Sequence, residues 1–184
     1  MSESDTIRDL EFELGAAYQR IGHLEKLATL DELTGLGNRR GLNEYLGRAL
    51  SQADRQQTDL TFVAIDIDHF KRVNDTHGHG VGDAVLMRVA AVIQQVIRGG
   101  DAAFRQGGEE MSVVAVTSYR GASLLAEKIR SSIEDSHQSD DPAVTVSVGV
   151  AMARIRDTAE KLAKRADEAL YVAKNGGRNR VEIG

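Results

Sequence analysis

Two adjacent carboxylates directly after a glycine pair, in Arg105-Gln106-Gly107-Gly108-Glu109-Glu110-Met111, constrain this chain more than any other feature. The runs on either side, near 102–106 and 110–117, read as β-strands, which makes the glycine pair the turn of a hairpin. Upstream, Thr61-Phe62-Val63-Ala64-Ile65-Asp66-Ile67-Asp68 is another apolar strand, and it ends in acid. A carboxylate at a strand end beside a second acidic strand end is costly to bury unless a cation compensates it. Such a pair is what a divalent-metal nucleotide site requires.

The remaining pattern predicts a helix at 39–56, a strand at 59–67 and short helical or loop structure at 69–78. A helix at 81–97 precedes the hairpin; a helix at 119–135, a strand at 143–151, a helix at 157–174 and a last strand near 179–183 follow it. Strands interleaved with amphipathic helices, plus one hairpin, indicate an α/β or α+β sandwich with a mixed sheet and helices on its faces. This domain occupies 31–184, and residues 1–30 are an appendage. There Ile7, Leu10, Leu14, Ala17, Ile21, Leu24 and Ala28 recur at spacings of three and four. Ile in one phase with Leu in the other favours a parallel two-stranded coiled coil, which predicts a homodimer through this helix. Gly15 and Gly22 weaken the helix, and packing against its own domain is the other reading.

Composition removes several classes of function. The 184 residues contain no cysteine, which excludes disulfides, thiolate metal sites and cysteine nucleophiles. A net charge of -5 argues against a general nucleic-acid binder. No apolar run approaches the ~18 residues of a membrane span, and the N-terminus is polar and acidic, so a cytoplasmic protein is expected.

As strand residues, Asp66 and Asp68 share a face. Glu109 and Glu110 would point to opposite sides of their strand, so at least one can face Asp66. Oxygen donors without nearby His or Cys suit Mg²⁺ or Mn²⁺, and the Ile67 carbonyl could add a further oxygen. Strand-end acids are also ordinary solvated caps. Lys71 and Lys174 could each supply a charge for phosphate, and Arg178 lies on a glycine-rich exit from a helix where backbone can approach phosphate. Helix C-capping accounts equally for the last two. Asn74 and Asp83 offer an amide and a carboxylate, a pair suited to a guanine edge, although both are common turn residues.

Over about residues 30–184 the chain resembles a GGDEF domain, the diguanylate cyclase family. The resemblance rests on Asp31-x-Leu33-Thr34-Gly35-Leu36-x-Asn38-Arg39-Arg40, on Asp66-Ile67-Asp68-His69-Phe70-Lys71 and on Asn74-Asp75-Thr76-His77-Gly78-His79-x-x-Gly82-Asp83. It continues with Gly107-Gly108-Glu109-Glu110-Met111, Ser147-Val148-Gly149-Val150-Ala151 and Ala173-Lys174-x-x-Gly177-Arg178-Asn179.

The resemblance implies a ferredoxin-like, polymerase-palm-like core and the condensation of two GTP molecules into cyclic di-GMP with release of pyrophosphate. It implies that Asp66, the Ile67 carbonyl and Glu109 hold the metals, with Glu110 as a further ligand or polariser and Glu109 as the proton acceptor. Asn74 and Asp83 would read guanine, with Phe70 and His79 of the same motifs in the GTP site. Lys71, Lys174 and Arg178 would grip phosphates, while Gly107 and Gly108 let the nucleotide approach. Each copy would bind one GTP, so two half-sites must face each other. Arg98-Gly99-Gly100-Asp101 matches the family's inhibitory RxxD motif, with Arg130 as a secondary contact from a neighbouring domain. Regulatory input is expected from a fused or partner sensor module.

Met111 stands where the signature usually has Phe, and Glu32 where Pro is frequent; the first is expected to face the core and the second to affect only the linker turn. A catalytically silent GTP or cyclic di-GMP receptor is the alternative, and a cyclase with another product is a third reading.

Overall fold

The computed structural model describes residues 14, 15, 20, 29–137 and 141–184. Leu14 apart, the heptad seam of the appendage lies outside these residues. The described elements run α1 (Arg39–Gln56), β1 (Leu60–Ile67), α2 (Phe70–His77), α3 (His79–Val96), β2 (Ala102–Gly107), β3 (Glu110–Val116), α4 (Tyr119–Glu134), β4 (Val146–Met152), α5 (Ala159–Asn175) and β5 (Val181–Ile183). Side-chain caps start three helices: Asn38 accepts from the Gly41 amide, Ser118 from Gly121 and Thr158 from Lys161. Gly78, with φ of 83°, ends α2 and begins α3, so the stretch expected at 69–78 is a separate two-turn helix.

The sheet has the order β2-β3-β1-β4-β5 and is antiparallel except between β4 and β5. Its first four strands have the βαββαβ arrangement of a ferredoxin-like core. Strand β1 lies in the middle, and all eight of its residues are buried. Its alternate side chains feed two separate cores. Leu60, Phe62 and Ala64 pack with Leu42 and Leu46 of α1 and with Leu162, Ala166 and Leu170 of α5. Val63, Ile65 and Ile67 pack with Val89 and Ile93 of α3 and with Ile129 and Ile133 of α4. Met111 is 1% exposed within the second core, so the departure from the usual Phe is absorbed as packing.

Helix α5 lies unusually close to the sheet. A β-carbon at Gly149 of β4 would collide with the Ala166 carbonyl oxygen and the backbone of Leu170. Only glycine permits that approach, and it sets the height of the helix that carries Lys174. The linker turn before α1 covers the outer edge of the sheet: Gly37 bridges to Phe104, and the Arg105 amide donates to the Gly37 carbonyl at 2.7 Å. No helix among the described residues is long and apolar enough to cross a membrane.

Candidate active site

Asp66 is the penultimate residue of β1 and 7% exposed. Antiparallel register sets it opposite Glu110 of β3 on one side and opposite Ser147 of β4 on the other, which puts all three on one face of the sheet. Helix α5 crosses that face and brings the Lys174 ammonium to 2.7 Å from an Asp66 carboxylate oxygen. Burial pushes the Asp66 pKa above the ordinary carboxylate value; the Lys174 bond and charge oppose it, while Glu109 and Asp68 add to it. The corner is thus acidic, and the Lys174 ammonium beside it opposes the effect of burial on Asp66.

Glu109 is not on a strand. It belongs to the turn, with β3 beginning at Glu110, and it reaches Asp66 electrostatically from there while Glu110 does so by register. The expectation that the two acids diverge across a strand therefore gives way to both lying at the Asp66 corner. Gly107 has φ of 145° and Gly108 φ of 52°, conformations in which a side chain is strained. Arg105 holds this turn. Its Nε and Nη2 donate to the Gly108 carbonyl at 3.0 and 2.9 Å, and its Nη1 donates to Asp31 of the linker turn at 3.1 Å. Asp31 also accepts from the Thr34 amide and hydroxyl. Partial burial would raise the Asp31 pKa, but these bonds and Arg105 hold it below its ordinary value.

Asp68 has a different role from Asp66. It is 5% exposed and accepts from the Thr145 and Ser147 hydroxyls, both at 2.7 Å, and from the Asn179 amide at 3.0 Å. Its lone pairs are used structurally, which ties β1, β4 and the exit of α5 together.

Asp167 is the residue that sequence reasoning missed. Loss of solvent raises its pKa, the Glu110 charge raises it further and Lys174 lowers it, so it belongs to the same electrostatic cluster. Seven residues before Lys174, it lies two turns back on the same helix face, and that periodicity was the available signal.

The other expected residues divide into groups. Asn74 and the buried Phe70 of α2 both lie against Gly82 of α3, the residue before Asp83. His79 is the exposed first residue of α3, and Lys71 and Arg178 are exposed. Arg98 and Asp101 form a closed turn in which the Arg98 amide donates to the Asp101 carboxylate at 3.0 Å. A cleft beside them is lined by Leu125 and Lys128 of α4. Arg130 lies outside that cleft. Its guanidinium is bound to Glu127, Glu134 and Asn179, each at 2.6 Å, and the bonds to Glu127 and then Glu134 hold its pKa above the ordinary value.

Among the described residues, no three His, Asp or Glu side chains are preset around one ion position. The donor chemistry nevertheless fits a hard divalent cation: carboxylate oxygens cluster at Asp66, and an ammonium already supplies the positive charge that this corner requires.

The sequence profile described as "Diguanylate cyclase, GGDEF domain" matches residues 28–180. The chain belongs to this family. Diguanylate cyclase DosC of Escherichia coli K12 is 40% identical over 159 residues, which are 84% of this chain and 35% of that protein. This GGDEF domain also resembles the coiled coil and GGDEF domain of DgcB from Caulobacter crescentus, solved in complex with c-di-GMP, at a TM-score of 0.90 and 32% identity with 100% of both chains covered. The active GGEEF domain of a diguanylate cyclase from Vibrio cholerae is similar at a TM-score of 0.75 and 37% identity, covering 79% of this chain and 96% of that one. The chain spans between about a third and a half of the length of the curated relatives DosC and DgcS, at 35% and 51%.

Proposed function

We propose that this GGDEF domain is a diguanylate cyclase that condenses two GTP molecules into cyclic di-GMP and two pyrophosphates. The observation that carries this reading is the corner at which Asp66 and Glu110 are paired in register, Glu109 adds its charge and Lys174 supplies a cation. Asp66, the Ile67 carbonyl and Glu109 would hold Mg²⁺ or Mn²⁺, with Glu110 beside them; when bound, the ion supplies charge neutralisation and a more acidic 3′-hydroxyl.

The chain's own residues do the rest. Asn74 and Asp83 hold the guanine edge, with Phe70 and His79 beside it. Lys71, Lys174 and Arg178 bind the triphosphate and offset charge gathering on the leaving pyrophosphate. Glu109 takes the proton from the 3′-hydroxyl. Gly107 and Gly108 leave room for the ribose and α-phosphate at the turn. Since one copy holds one GTP, the reaction needs a second copy facing the first across a two-fold axis. Residues 1–30 act as the dimerising coil and raise the effective concentration of half-sites. Product binds at Arg98 and Asp101, with Arg130 contributing from a neighbouring domain, and inhibits.

Incubation with GTP and Mg²⁺, with the products separated by mass, tests the proposal. Cyclic di-GMP is expected from the wild type and none from folded Glu109→Ala. GTP binding without any condensation would make the domain a receptor, and a different cyclic product would reassign the activity.

A further inference from the structure

The turn leaving α5 carries two consecutive non-glycine residues in the left-handed region, Arg178 with φ of 64° and Asn179 with φ of 43°. Asparagine tolerates that conformation, but arginine disfavours it, so the surroundings must impose it. Asn179 is where they do so. Its amide donates to the buried Asp68 carboxylate at 3.0 Å, its Nδ2 donates to Glu134 at 2.7 Å, and its Oδ1 accepts from Arg130 at 2.6 Å. The Arg130 Nη1 also donates to Glu134 at 2.6 Å, which closes a three-membered ring of side chains between α4 and the turn. The neighbouring Arg180 carbonyl accepts from the Val148 amide of β4 at 2.9 Å. A surface turn held only for connectivity has no need of a saturated buried carboxylate on its backbone and an ion triad on its side chain.

We propose that Asn179 is a positioning residue: its three bonds fix the left-handed backbone of Arg178 and so set where the Arg178 guanidinium meets the terminal phosphates of a nucleoside triphosphate. This rests on the reading of Arg178 as a phosphate ligand given above. Two consequences follow that simple fold stabilisation does not have. Removing the Asn179 side chain weakens binding only of nucleotides long enough to reach Arg178. Glu134, on a different helix and on no substrate, shares the effect, because it holds the amide end of Asn179.

The test uses the full chain with Mg²⁺ and compares the affinities of 3′-deoxy-GTP, which lacks the attacking hydroxyl and cannot condense, and GMP. Asn179→Ala is expected to weaken 3′-deoxy-GTP about tenfold, the loss of one charge-assisted contact, while leaving GMP unchanged. In the Arg178→Ala background the same change is expected to add nothing, since the contact it serves is already gone. Glu134→Ala is expected to show the same selectivity with a smaller loss, and it carries the test alone where Asn179→Ala does not fold. Equal losses for both nucleotides, or additive losses with Arg178→Ala, overturn the proposal while GTP condensation by the wild type stands. Failure of the wild type to bind 3′-deoxy-GTP would remove the functional reading and this proposal with it.

Discussion

The Lys174 ammonium lies 2.7 Å from the Asp66 carboxylate, at a strand end that Glu109 and Asp68 also charge negatively and where Glu110 and Asp167 form a second acidic pair. Lys174 therefore serves as a counter-ion at this corner. In the proposed substrate complex it has two partners to divide itself between, the carboxylate and the triphosphate. Lys174→Met, which keeps the aliphatic stem, is expected to cost about 1–2 kcal/mol of stability without divalent cations, a value reduced for the partial exposure of the ammonium. Millimolar Mg²⁺ is expected to recover a larger share in the variant than it adds to the wild type, because the competing ammonium is gone. Urea unfolding with and without Mg²⁺ measures both, and an equal response to Mg²⁺ would argue against a cation at Asp66.

Asp66 opposes stability at neutral pH. Its folded pKa is raised, chiefly by burial, above the ordinary value of 3.8. Between the two values the native protein keeps a proton that the unfolded chain has released, so stability from this group is full below the ordinary value and is lost as pH rises through the folded one. Asp66→Asn is therefore expected to be more stable than the wild type at neutral pH, with the advantage vanishing near pH 3.8. It is also expected to be inactive. Unfolding curves from about pH 4 to pH 8 without divalent cations check the sign.

The bridge from Asp31 through Arg105 to the Gly108 carbonyl joins the linker turn to the signature turn. Arg105→Ala leaves the Asp31 carboxylate and the turn carbonyl without their shared donor. The expected result is a loss of about 1–3 kcal/mol and a fall in GTP turnover on the order of tenfold, from a turn that no longer holds Glu109 in place. Asp31→Asn is expected to act in the same direction, and less than additively with Arg105→Ala. Fully additive effects on turnover would separate the two turns.

Arg98→Ala is expected to relieve product inhibition and leave the initial rate near that of the wild type. Progress curves with added cyclic di-GMP check this. Lys128, which lines the same cleft, is expected to give partial relief when replaced by Ala, on the scale of about 1 kcal/mol for one exposed charge.

Much of this architecture is legible in the chain, and the illegible parts share a cause. The helix expected at 39–56 is found at Arg39–Gln56 because its cap, Asn38, and its apolar period are both local signals. The strand carrying Asp66 is equally plain as an apolar run ending in acid. What the pattern hides depends on residues that meet only after folding. Arg105 and Asp31 are 74 positions apart, and Asn179 and Asp68 are 111 apart. Neither pair has a period or a composition that announces it. Glu109 is an intermediate case. Its identity was evident, but its place in the turn depends on a register shift between Arg105 and Gly107 that alternation cannot reveal.

Asp66 is borne by the strand that is buried along its whole length. Amides of such a central strand exchange with solvent water only through near-global opening, whereas a sheet edge or a surface helix breathes at far lower free energy. The proposed chemistry is thereby mounted on a strand that is buried throughout. Surface segments around the Asp66 corner can open locally while the carboxylate they surround keeps its position.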